Sequence, residues 1–439
     1  MIADQSVPDR QTWISWNGNL QHQYSNLYFP SSEEEIINIL KKNDSKIRVF
    51  GERKSSADIA AGTETLISLA RYGEFLSIDR DQKQITVQSG ISLKVFLEKI
   101  EELKWAIPCL PDIDEISLGG ALSTGTHGTG RDGHLLSEYV VSMRVLNHSG
   151  NPVEIDQKNP LMEAYRLSLG LLGIISTVTF QCVSIYNLQI EERPVHDDYW
   201  LENYEELVKD HDFTRILWLP HTNHGYLITG DRCNEQTVDN TKKSPWWHKY
   251  RRTVSALLYK YTTAYPFLTV PANKIIYRLF FRADVRHRGT LYGATVTKSR
   301  GSTLELAEWT VSLEKFKEIF PELKAVLNNR SNRAYAHIPM DIRFIRSDKT
   351  WLSYAYDQDT VTVGCVSRHA AGADQYEAFS IIEEIFLKNG GRPHYAKRFK
   401  SGREELSSLY PRWGDFLSLR RKEDPSGRFL NDFLKELFL

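Results

Sequence analysis

Short apolar runs alternate with polar turns and with stretches of helical spacing over the first 185 residues. Pro30–Leu40 carries serine capping candidates, then acidic residues, then apolar residues at helical spacing, which predicts a helix. Ser92–Leu103 has the amphipathic pattern of a second helix. Strands are predicted where β-prone residues cluster, at 47–50, 65–69, 84–88, 140–146 and 176–183. The mixture predicts an α+β fold.

Beyond about residue 185 the pattern changes, and strand-like runs predominate. The predicted strands of this part are 215–219, 225–229, 304–311, 341–345 and 360–366. We expect them to form a sheet that serves as the floor of a pocket.

Three glycine-bearing turns interrupt the first part of the chain. They are Gly51–Ser56, the glycine-rich stretch Leu118–Gly130, and Ser168–Ile175. Glycine lets a ligand approach the backbone closely, and the hydroxyls and N–H groups of such turns suit a diphosphate. Three turns separated by strands and helices favour a nucleotide-sized ligand spread over one domain. A dinucleotide fingerprint of the Rossmann type, with its acidic residue about twenty positions later, is absent from the sequence.

Composition narrows the class of protein. The 439 residues suggest two or three domains at about 150 residues each. The 55 Lys and Arg residues balance 56 Asp and Glu residues, so net charge gives no argument for nucleic acid or membrane binding. The four cysteines lie far apart without a CxxC pair, and we predict neither a disulfide framework nor a metal site. Without a signal-like N-terminus or an apolar run of membrane length, the expected location is cytoplasmic.

Several motifs resemble one flavoprotein family. The segments at 48–60, 117–130 and 168–180 resemble the FAD-binding half of vanillyl-alcohol-oxidase-type proteins. The C-terminal segments Gly391–Lys397, Leu409–Trp413 and Asp424–Asn431 are similar to the end of sugar-1,4-lactone and alditol oxidases, where the family pattern is HWxK. The resemblance extends over nearly the whole chain.

The resemblance implies a fold and a function. Residues 1–185 would form a two-part PCMH-type FAD-binding domain, residues 186–385 a substrate-binding cap with a large antiparallel sheet flanked by helices, and residues 386–439 a segment that returns to the flavin. The implied activity is FAD-dependent oxidation of an alcohol group of a polyol, sugar or aldono-1,4-lactone, with O2 or a quinone or cytochrome as electron acceptor. The alternatives are a flavin-dependent dehydrogenase of another glycosyl or lipid-linked sugar, and a flavin-binding protein without this activity.

The resemblance also implies a cofactor-binding set drawn from the three turns and the C-terminal motif. Its members are Phe50, Gly51, Glu52, Arg53, Lys54, Ser55, Ser56, Pro111, Ser117, Gly119, Gly120, Ser123, Thr124, Gly125, Thr126, His127, Gly128, Gly130, Gly170, Gly173, Ile174, Ile175, His394 and Lys397.

By the same resemblance, Arg343 and Lys397 match the active-site Arg and Lys of the family, and Asp341 takes the place of the usual Glu. Strand alternation puts Asp341 and Arg343 on one face, which we expect to line the pocket. An ordinary salt-bridged strand surface is the alternative.

Two more residues complete the catalytic set. Glu308 matches a strand acid of the family, and it either binds substrate hydroxyls or serves as a structural partner for an arginine. His394 is either a base or a hydrogen-bonded neighbour of the flavin, and Tyr395 replaces the family Trp.

Lys54 marks a departure from the family pattern. Many members bind the flavin covalently through a histidine in a GxGHS turn, where this chain has Gly51–Ser55 with Lys54 at the histidine position. We therefore expect noncovalent FAD, with Arg53 and Lys54 neutralising its diphosphate. Charged loop residues that face solvent are the alternative.

Residues 242–288 are strongly basic and rich in aromatic residues, with Asp284 as their only acid. One interpretation is a cap insertion that packs its aromatic residues inward. The others are an amphipathic element on a membrane surface, which would make the protein membrane-associated, and a lid over an acidic or phosphorylated substrate. Because no nucleic-acid-binding module is recognisable, we predict no nucleic-acid partner.

Overall fold

The computed structural model describes residues 11–233, 245–296, 304–329, 334–368 and 377–439. Its strands are β1 (Gln11–Ile14), β2 (Gln21–Tyr24), β3 (Asn26–Tyr28), β4 (Ile47–Phe50), β5 (Thr65–Ser68), β6 (Phe75–Asp79), β7 (Gln84–Gln88), β8 (Trp105–Ala106), β9 (Val140–Leu146), β10 (Pro152–Asp156), β11 (Ile174–Gln181), β12 (Val183–Ser184), β13 (Asn187–His196), β14 (Phe213–Leu219), β15 (His224–Cys233), β16 (Val285–Thr290), β17 (Leu304–Ser312), β18 (His337–Ile345), β19 (Thr360–Arg368) and β20 (Arg392–Pro393).

The α-helices of the described residues connect these strands and cover the sheets. They are α1 (Glu33–Lys42), α2 (Leu93–Glu102), α3 (Leu118–Ser123), α4 (Met162–Tyr165), α5 (Asp197–Asp210), α6 (Arg251–Ala264), α7 (Thr269–Phe280), α8 (Leu291–Thr295), α9 (Phe316–Asn328), α10 (Glu377–Lys388), α11 (Arg403–Leu409), α12 (Trp413–Glu423) and α13 (Asp432–Phe438).

A small parallel sheet in the order β3-β5-β4 follows the antiparallel pair β1-β2 at the start of the described chain. The helix predicted from Pro30 starts at Glu33, because the Ser32 side chain caps it by accepting a hydrogen bond from the Glu35 N–H at 3.2 Å. Ile36 and Leu40 turn into the core beside Ile47 of β4. The strands predicted at 47–50 and 65–69 are both present, the second ending at Ser68.

A second sheet in the order β10-β9-β11-β7-β6 is antiparallel throughout and packs on α2. The strands predicted at 84–88 and 140–146 have these bounds in the structure. The strand predicted at 176–183 starts earlier, at Ile174, and ends at Gln181. Because β11 starts directly after Gly173, the third glycine turn leads into the central strand of this sheet.

The later part of the chain forms a large antiparallel sheet, in the order β16-β13-β15-β14-β18-β19-β17-β20 among the described strands. Helices α5, α9 and α10 cover one face and share its apolar core. Each of the five strands predicted in this part is present, and the fold class, α+β with a large antiparallel sheet flanked by helices, is confirmed.

The C-terminal helices α11, α12 and α13 leave the large sheet and join the core of the second sheet. The Arg48 guanidinium of β4 donates to the Phe429 carbonyl at 2.8 Å, and Asn431 donates to the Asp58 carbonyl, also at 2.8 Å. These contacts hold the end of the chain against its beginning. The domain boundaries at 185 and 385 stay a prediction.

Helices α6 and α7 form a hairpin inside the segment singled out for its basic and aromatic residues. Residues 242–244 of that segment lie outside the described part of the chain. One face of the hairpin packs on Leu219 and Tyr226 of the sheet through Tyr259, Ile276 and Phe280. No described helix combines the length and apolar character needed to cross a bilayer.

Candidate active site

A large cavity opens where the three glycine turns, the large sheet and the C-terminal segment meet. Its volume is about 1310 Å³, including the part open to solvent. Arg343 of β18 and His394 and Lys397 of the C-terminal segment line it together with the turns. The cavity therefore joins parts of the sequence that lie more than three hundred residues apart.

Close packing explains glycine at two of the turns. A Cβ atom at Gly51 would overlap the Ser117 Oγ, so the first turn can lie against the start of α3 only without a side chain. Gly173 has a φ of +136°, and a Cβ there would press on the Leu146 carbonyl. The missing side chains thus shape the cavity wall itself.

Most of the predicted cofactor-binding residues line this cavity. These are Phe50, Gly51, Glu52, Arg53, Lys54, Ser55, Pro111, Ser117, Gly119, Gly120, Ser123, Thr124, Thr126, His127, Gly170, Gly173, Ile174, Ile175, His394 and Lys397.

Four residues of the predicted set lie outside the lining: Ser56, Gly125, Gly128 and Gly130. The three glycines pack instead against Tyr354, Cys109 and the Asp212 carbonyl, respectively. These glycines pack against other parts of the same chain, and the assignment of all four residues to the cofactor-binding set stays a prediction.

Arg343 is buried at the cavity wall and is held by carboxylates. Its Nη2 donates to the Glu308 Oε1 at 2.6 Å, and its Nε lies 3.4 Å from the Asp341 Oδ2. Glu308 also accepts a hydrogen bond from the His127 Nε2 at 3.1 Å. Of the two interpretations of Glu308, the geometry supports the structural partner of an arginine, since Glu308 does not line the cavity.

Asp341 shares a strand face with Arg343, as alternation predicts, because its Oδ2 lies 3.4 Å from the Arg343 Nε. Asp341 is not among the residues that line the cavity, and its two carboxylate oxygens accept hydrogen bonds from the Arg215 Nε and Nη2, each at 2.7 Å. Arg215 belongs to β14, which pairs with β18 so that Arg215 stands opposite Arg343. An arginine of the neighbouring strand therefore binds the carboxylate that the sequence analysis assigned to the pocket.

Burial and fixed charges set the protonation of this cluster. Burial alone raises the pKa of Glu308, but Arg343 and then His127 outweigh it and hold that pKa well below its usual range. Burial, with Arg343 as the second cause, lowers the pKa of His127. Burial likewise brings the pKa of His394 well below the usual value for histidine. At neutral pH the cluster therefore holds an ionised Glu308, a charged Arg343 and a neutral His394.

His127, Glu308 and His394 also bring ligand-type atoms within 4.8 Å of one another. Arg343 already donates to Glu308 at this point, and its fixed positive charge opposes a bound cation. We therefore propose no metal ion here.

Sequence reasoning missed three charged residues around the cavity: Arg48, Asp112 and Arg215. Arg48 and Asp112 line the cavity, and Arg215 connects Asp112 with Asp341. Each arginine interrupts an otherwise apolar strand, IRVF in β4 and FTRILWL in β14. A charge inside a buried strand was the available signal, because such a charge needs a partner.

Lys54 lines the cavity but is already paired. Its Nζ lies 2.9 Å from the Glu115 Oε2 and 5.4 Å from the centre of the Trp16 ring. The pairing with Glu115 reduces the charge available for neutralising a diphosphate. Arg48, which among the described residues donates to backbone carbonyls and not to a carboxylate, is the stronger candidate for that charge.

Comparison with known families agrees with the geometry. Residues 178–437 match the family model described as D-arabinono-1,4-lactone oxidase, and residues 25–156 match the model described as FAD binding domain. The first match covers more than half of the chain. The chain belongs to the D-arabinono-1,4-lactone oxidase family.

Similar proteins of known name support this assignment. L-gulonolactone oxidase of Scyliorhinus torazame is 29% identical over 423 residues, which cover 94% of this chain and 95% of that protein. L-gulono-1,4-lactone dehydrogenase of Mycobacterium tuberculosis is 27% identical over 433 residues, covering 97% and 98%. A cholesterol oxidase variant from Brevibacterium sterolicum has the same fold, with a TM-score of 0.79 at 13% identity and full coverage of both chains.

The cavity residues fit FAD as the cofactor. The turns at Gly51 and Gly119 present backbone without side chains, and Ser117 and Thr124 add hydroxyls beside them. Arg48 supplies a buried positive charge, while Ile174 and Ile175 supply apolar surface for a ring. The cavity wall therefore offers groups of matching chemistry to the anionic, the hydroxyl-rich and the aromatic parts of FAD.

Proposed function

We propose that this protein oxidises an alcohol group of an aldono-1,4-lactone, with related sugars and polyols as further substrates. The observation that carries the proposal is the position of Arg343 and Lys397, two cationic residues of an FAD-type cavity, beside the neutral His394. The names of the relatives support the lactone, because they denote gulonolactone and arabinonolactone enzymes over nearly the whole chain length.

The chemistry divides between cofactor and protein. FAD bound in the cavity would accept a hydride from the carbinol carbon, and the hydroxyl proton would leave to water, to which the cavity is open. Arg343, held by Glu308, offers a fixed positive charge that polarises a substrate oxygen and stabilises developing negative charge. Because Arg343 remains charged throughout the working pH range, it orients the substrate and does not exchange the hydroxyl proton.

His394 is suited to hydrogen bonding with the substrate. Its Nδ1 accepts a hydrogen bond from the Ala396 N–H at 3.1 Å, so the neutral ring is assigned its proton on Nε2. The Nε2–H can then donate to a substrate oxygen. We propose that His394 orients the carbinol while Lys397, on the same segment, adds a second positive charge.

Anaerobic bleaching of the flavin tests the function. L-gulono-1,4-lactone and D-arabinono-1,4-lactone should remove the yellow absorbance of the FAD-loaded protein in the absence of air. In the Arg343→Met and Lys397→Met variants, bleaching should be slower by about a hundredfold or more, because each variant loses a charge used in the transition state. Lys400→Met is the matched control, since Lys400 lies three residues from Lys397 with an exposed side chain.

The panel also separates the alternatives. Bleaching by another glycosyl substrate, with none by lactones or polyols, would favour the dehydrogenase of a different sugar. If no member of the panel bleaches the flavin, the protein binds flavin without this activity. Normal bleaching in both Met variants would remove Arg343 and Lys397 from the mechanism.

We further propose that FAD is held noncovalently. The residue at the usual position of covalent attachment is Lys54, whose ammonium is paired with Glu115. Acid precipitation of the protein should leave the yellow colour in the supernatant. Colour that pellets with the protein would contradict the proposal.

The electron acceptor is either O2 or a quinone or cytochrome, and both kinds fit the names of the relatives, which include oxidases and a dehydrogenase. Admission of air to the bleached protein distinguishes them, because rapid return of colour identifies O2. Peripheral contact with a membrane is a further proposal, which the exposed aromatic residues of α6 and α7 support.

A further inference from the structure

We propose that the α6–α7 hairpin and the turn before it dock this protein on an anionic phospholipid surface. The surface in question, called the hairpin surface below, is the outward side of residues 246–282. The inference goes beyond the proposed oxidation and does not depend on it.

Exposed apolar side chains are concentrated on the hairpin surface. Nine of the sixteen exposed large hydrophobic residues in the described part of the chain lie between Trp246 and Leu279. Trp246 is 72% exposed, Phe267 is 60% exposed and Leu257 is 58% exposed. A contiguous cluster of this kind marks an interaction site, whereas single exposed apolar residues are ordinary.

Both helices of the hairpin are apolar on two sides. Tyr259 of α6 and Ile276 and Phe280 of α7 pack inward on the sheet. On the outward side, Leu257, Tyr261 and Tyr265 follow one another at intervals of four residues, and Ile275 and Leu279 do the same on α7. The inward face accounts for the fold of the hairpin, so the outward stripe needs another explanation.

Cations surround the outward apolar stripes. The segment 245–283 contains seven Lys and Arg residues and no Asp or Glu, although the whole chain has a net charge of -1. Lys260, Lys274 and Arg278 are exposed, and no ion pair joins them to a carboxylate among the described residues. A dense local positive charge beside apolar side chains complements an anionic partner that also has an apolar interior.

The residue types favour a lipid surface as that partner. Trp and Tyr, with an apolar ring and a polar group, are enriched where a protein meets the boundary between headgroups and acyl chains. Lys and Arg beside them suit anionic headgroups. Since no described helix can cross a bilayer, the hairpin surface would lie at this boundary.

The hairpin surface is a firmly attached part of the fold. The Tyr259 hydroxyl donates to the Asn273 Oδ1 at 2.9 Å, which joins the two helices. Asn273 also donates to the Ala336 carbonyl at 3.1 Å, and the Thr262 Oγ1 lies 2.9 Å from the His337 Nε2 at the start of β18. Docking through this hairpin would therefore fix the orientation of the strand that carries Arg343.

Vesicle cosedimentation of the full FAD-loaded chain tests the proposal. The protein should pellet with vesicles that contain about one-third phosphatidylglycerol in phosphatidylcholine, and about tenfold less with phosphatidylcholine alone. High salt should weaken the binding, because screening removes the headgroup attraction. The measurement needs no substrate turnover, so its outcome is independent of the proposed oxidation.

Two variants separate the apolar and the charged contributions. Trp246→Ser with Tyr261→Ser and Phe267→Ser removes outward aromatic side chains, and Lys260→Glu with Lys274→Glu and Arg278→Glu reverses exposed charge. Each triple variant should lose about tenfold in vesicle partitioning while it retains its flavin absorbance. Leu76→Ser with Val95→Ser is the matched control, since both residues are exposed outside the hairpin.

Several outcomes would overturn the proposal. Absence of binding to the anionic vesicles would do so, as would equal binding to both vesicle types without an effect of salt. Equal loss in the Leu76 and Val95 control would show that the hairpin surface is not the site. A concentration-dependent dimer that these triple variants abolish, without vesicle binding, would identify a second copy of the chain as the partner. Tight binding of single-stranded RNA without vesicle binding would identify nucleic acid.

Discussion

The buried Arg343, the partly buried Arg215 and two carboxylates determine the charge pattern beside the cavity. Arg215 binds Asp341, and Arg343 binds Glu308, with Asp341 in a secondary position 3.4 Å from the Arg343 Nε. Glu308 is almost fully buried, and the hydrogen-bond partners of its carboxylate among the described residues are Arg343 and His127. The charge of Glu308 therefore holds the guanidinium in place.

Replacement of Glu308 by Gln should destabilise the protein. The change keeps the shape but leaves Arg343 without its main counter-charge, and breaking a buried pair in this way costs about 3–5 kcal/mol of unfolding free energy. Urea unfolding with excess FAD measures the loss. Glu314→Gln, at an exposed position, should change the free energy of unfolding by about 0.5 kcal/mol or less. Equal stability of Glu308→Gln and the parent would contradict the assigned pairing.

The turn after β4 is the element on which the cavity wall depends most directly. Gly51 lies so close to Ser117 that a Cβ would overlap its Oγ, while the backbone of Gly51 has an ordinary φ. Space, and not backbone conformation, therefore requires glycine here. The same turn carries Arg53 to Ser55 along the cavity.

Gly51→Ala should weaken FAD binding. To accept the methyl group, the turn or the start of α3 must move, at a cost of about 1–3 kcal/mol, which corresponds to an increase of about 5-fold to 150-fold in the dissociation constant. Equilibrium titration of the apoprotein with FAD measures the change. Gly414→Ala in α12 is the control, because a Cβ there meets nothing within 4 Å. An unchanged dissociation constant in Gly51→Ala would place FAD away from this turn.

At the scale of the whole molecule, the large sheet is tied to the N-terminal part by the connection between β18 and β19. The Thr350 Oγ1 lies 2.9 Å from the Glu138 Oε1 and 3.1 Å from the Glu163 Oε2, and its one proton can go to either carboxylate. The Trp351 N–H donates to the Glu163 carbonyl. Asp348 is buried at this contact. Burial, followed by the charge of Glu138, raises the pKa of Asp348 to about 8.

The raised pKa of Asp348 predicts a pH dependence of stability. Its contribution is fully present below the ordinary value of 3.8 and is lost as the pH rises through about 8, because the unfolded chain releases the proton first. Between pH 5 and pH 9, the parent should therefore lose at least about 1 kcal/mol more than Asp348→Asn. Denaturant unfolding at several pH values measures this difference. Asp357→Asn, at a half-exposed position, should follow the parent, and identical slopes for parent and Asp348→Asn would contradict the protonated state.

Much of the fold was predictable because local sequence patterns specify its helices and strands. Strands 84–88 and 140–146 have the predicted bounds. Helix α1 differs from the prediction mainly at its start, because the Ser32 cap sets Glu33 as its first residue. The glycine turns were equally visible. The role of each glycine in these turns could not be predicted. Gly119, Gly125 and Gly130 all lie in the same glycine-rich stretch, but only Gly119 lines the cavity, whereas Gly125 and Gly130 pack against other residues of the protein.

Local sequence patterns were enough to establish the α+β pattern, the three glycine turns, the family resemblance and the assignment of Arg343, His394 and Lys397 to the flavin site. The partners of the charged residues and the exposed faces of the helices depend on how distant segments pack together. Alternation with a period of two specifies the face of a strand, but it cannot reveal that Arg215, 126 residues away, takes up the Asp341 carboxylate. Likewise, the composition of 242–288 left three interpretations open, because only the packing of α6 and α7 on the sheet determines which of their aromatic residues are buried.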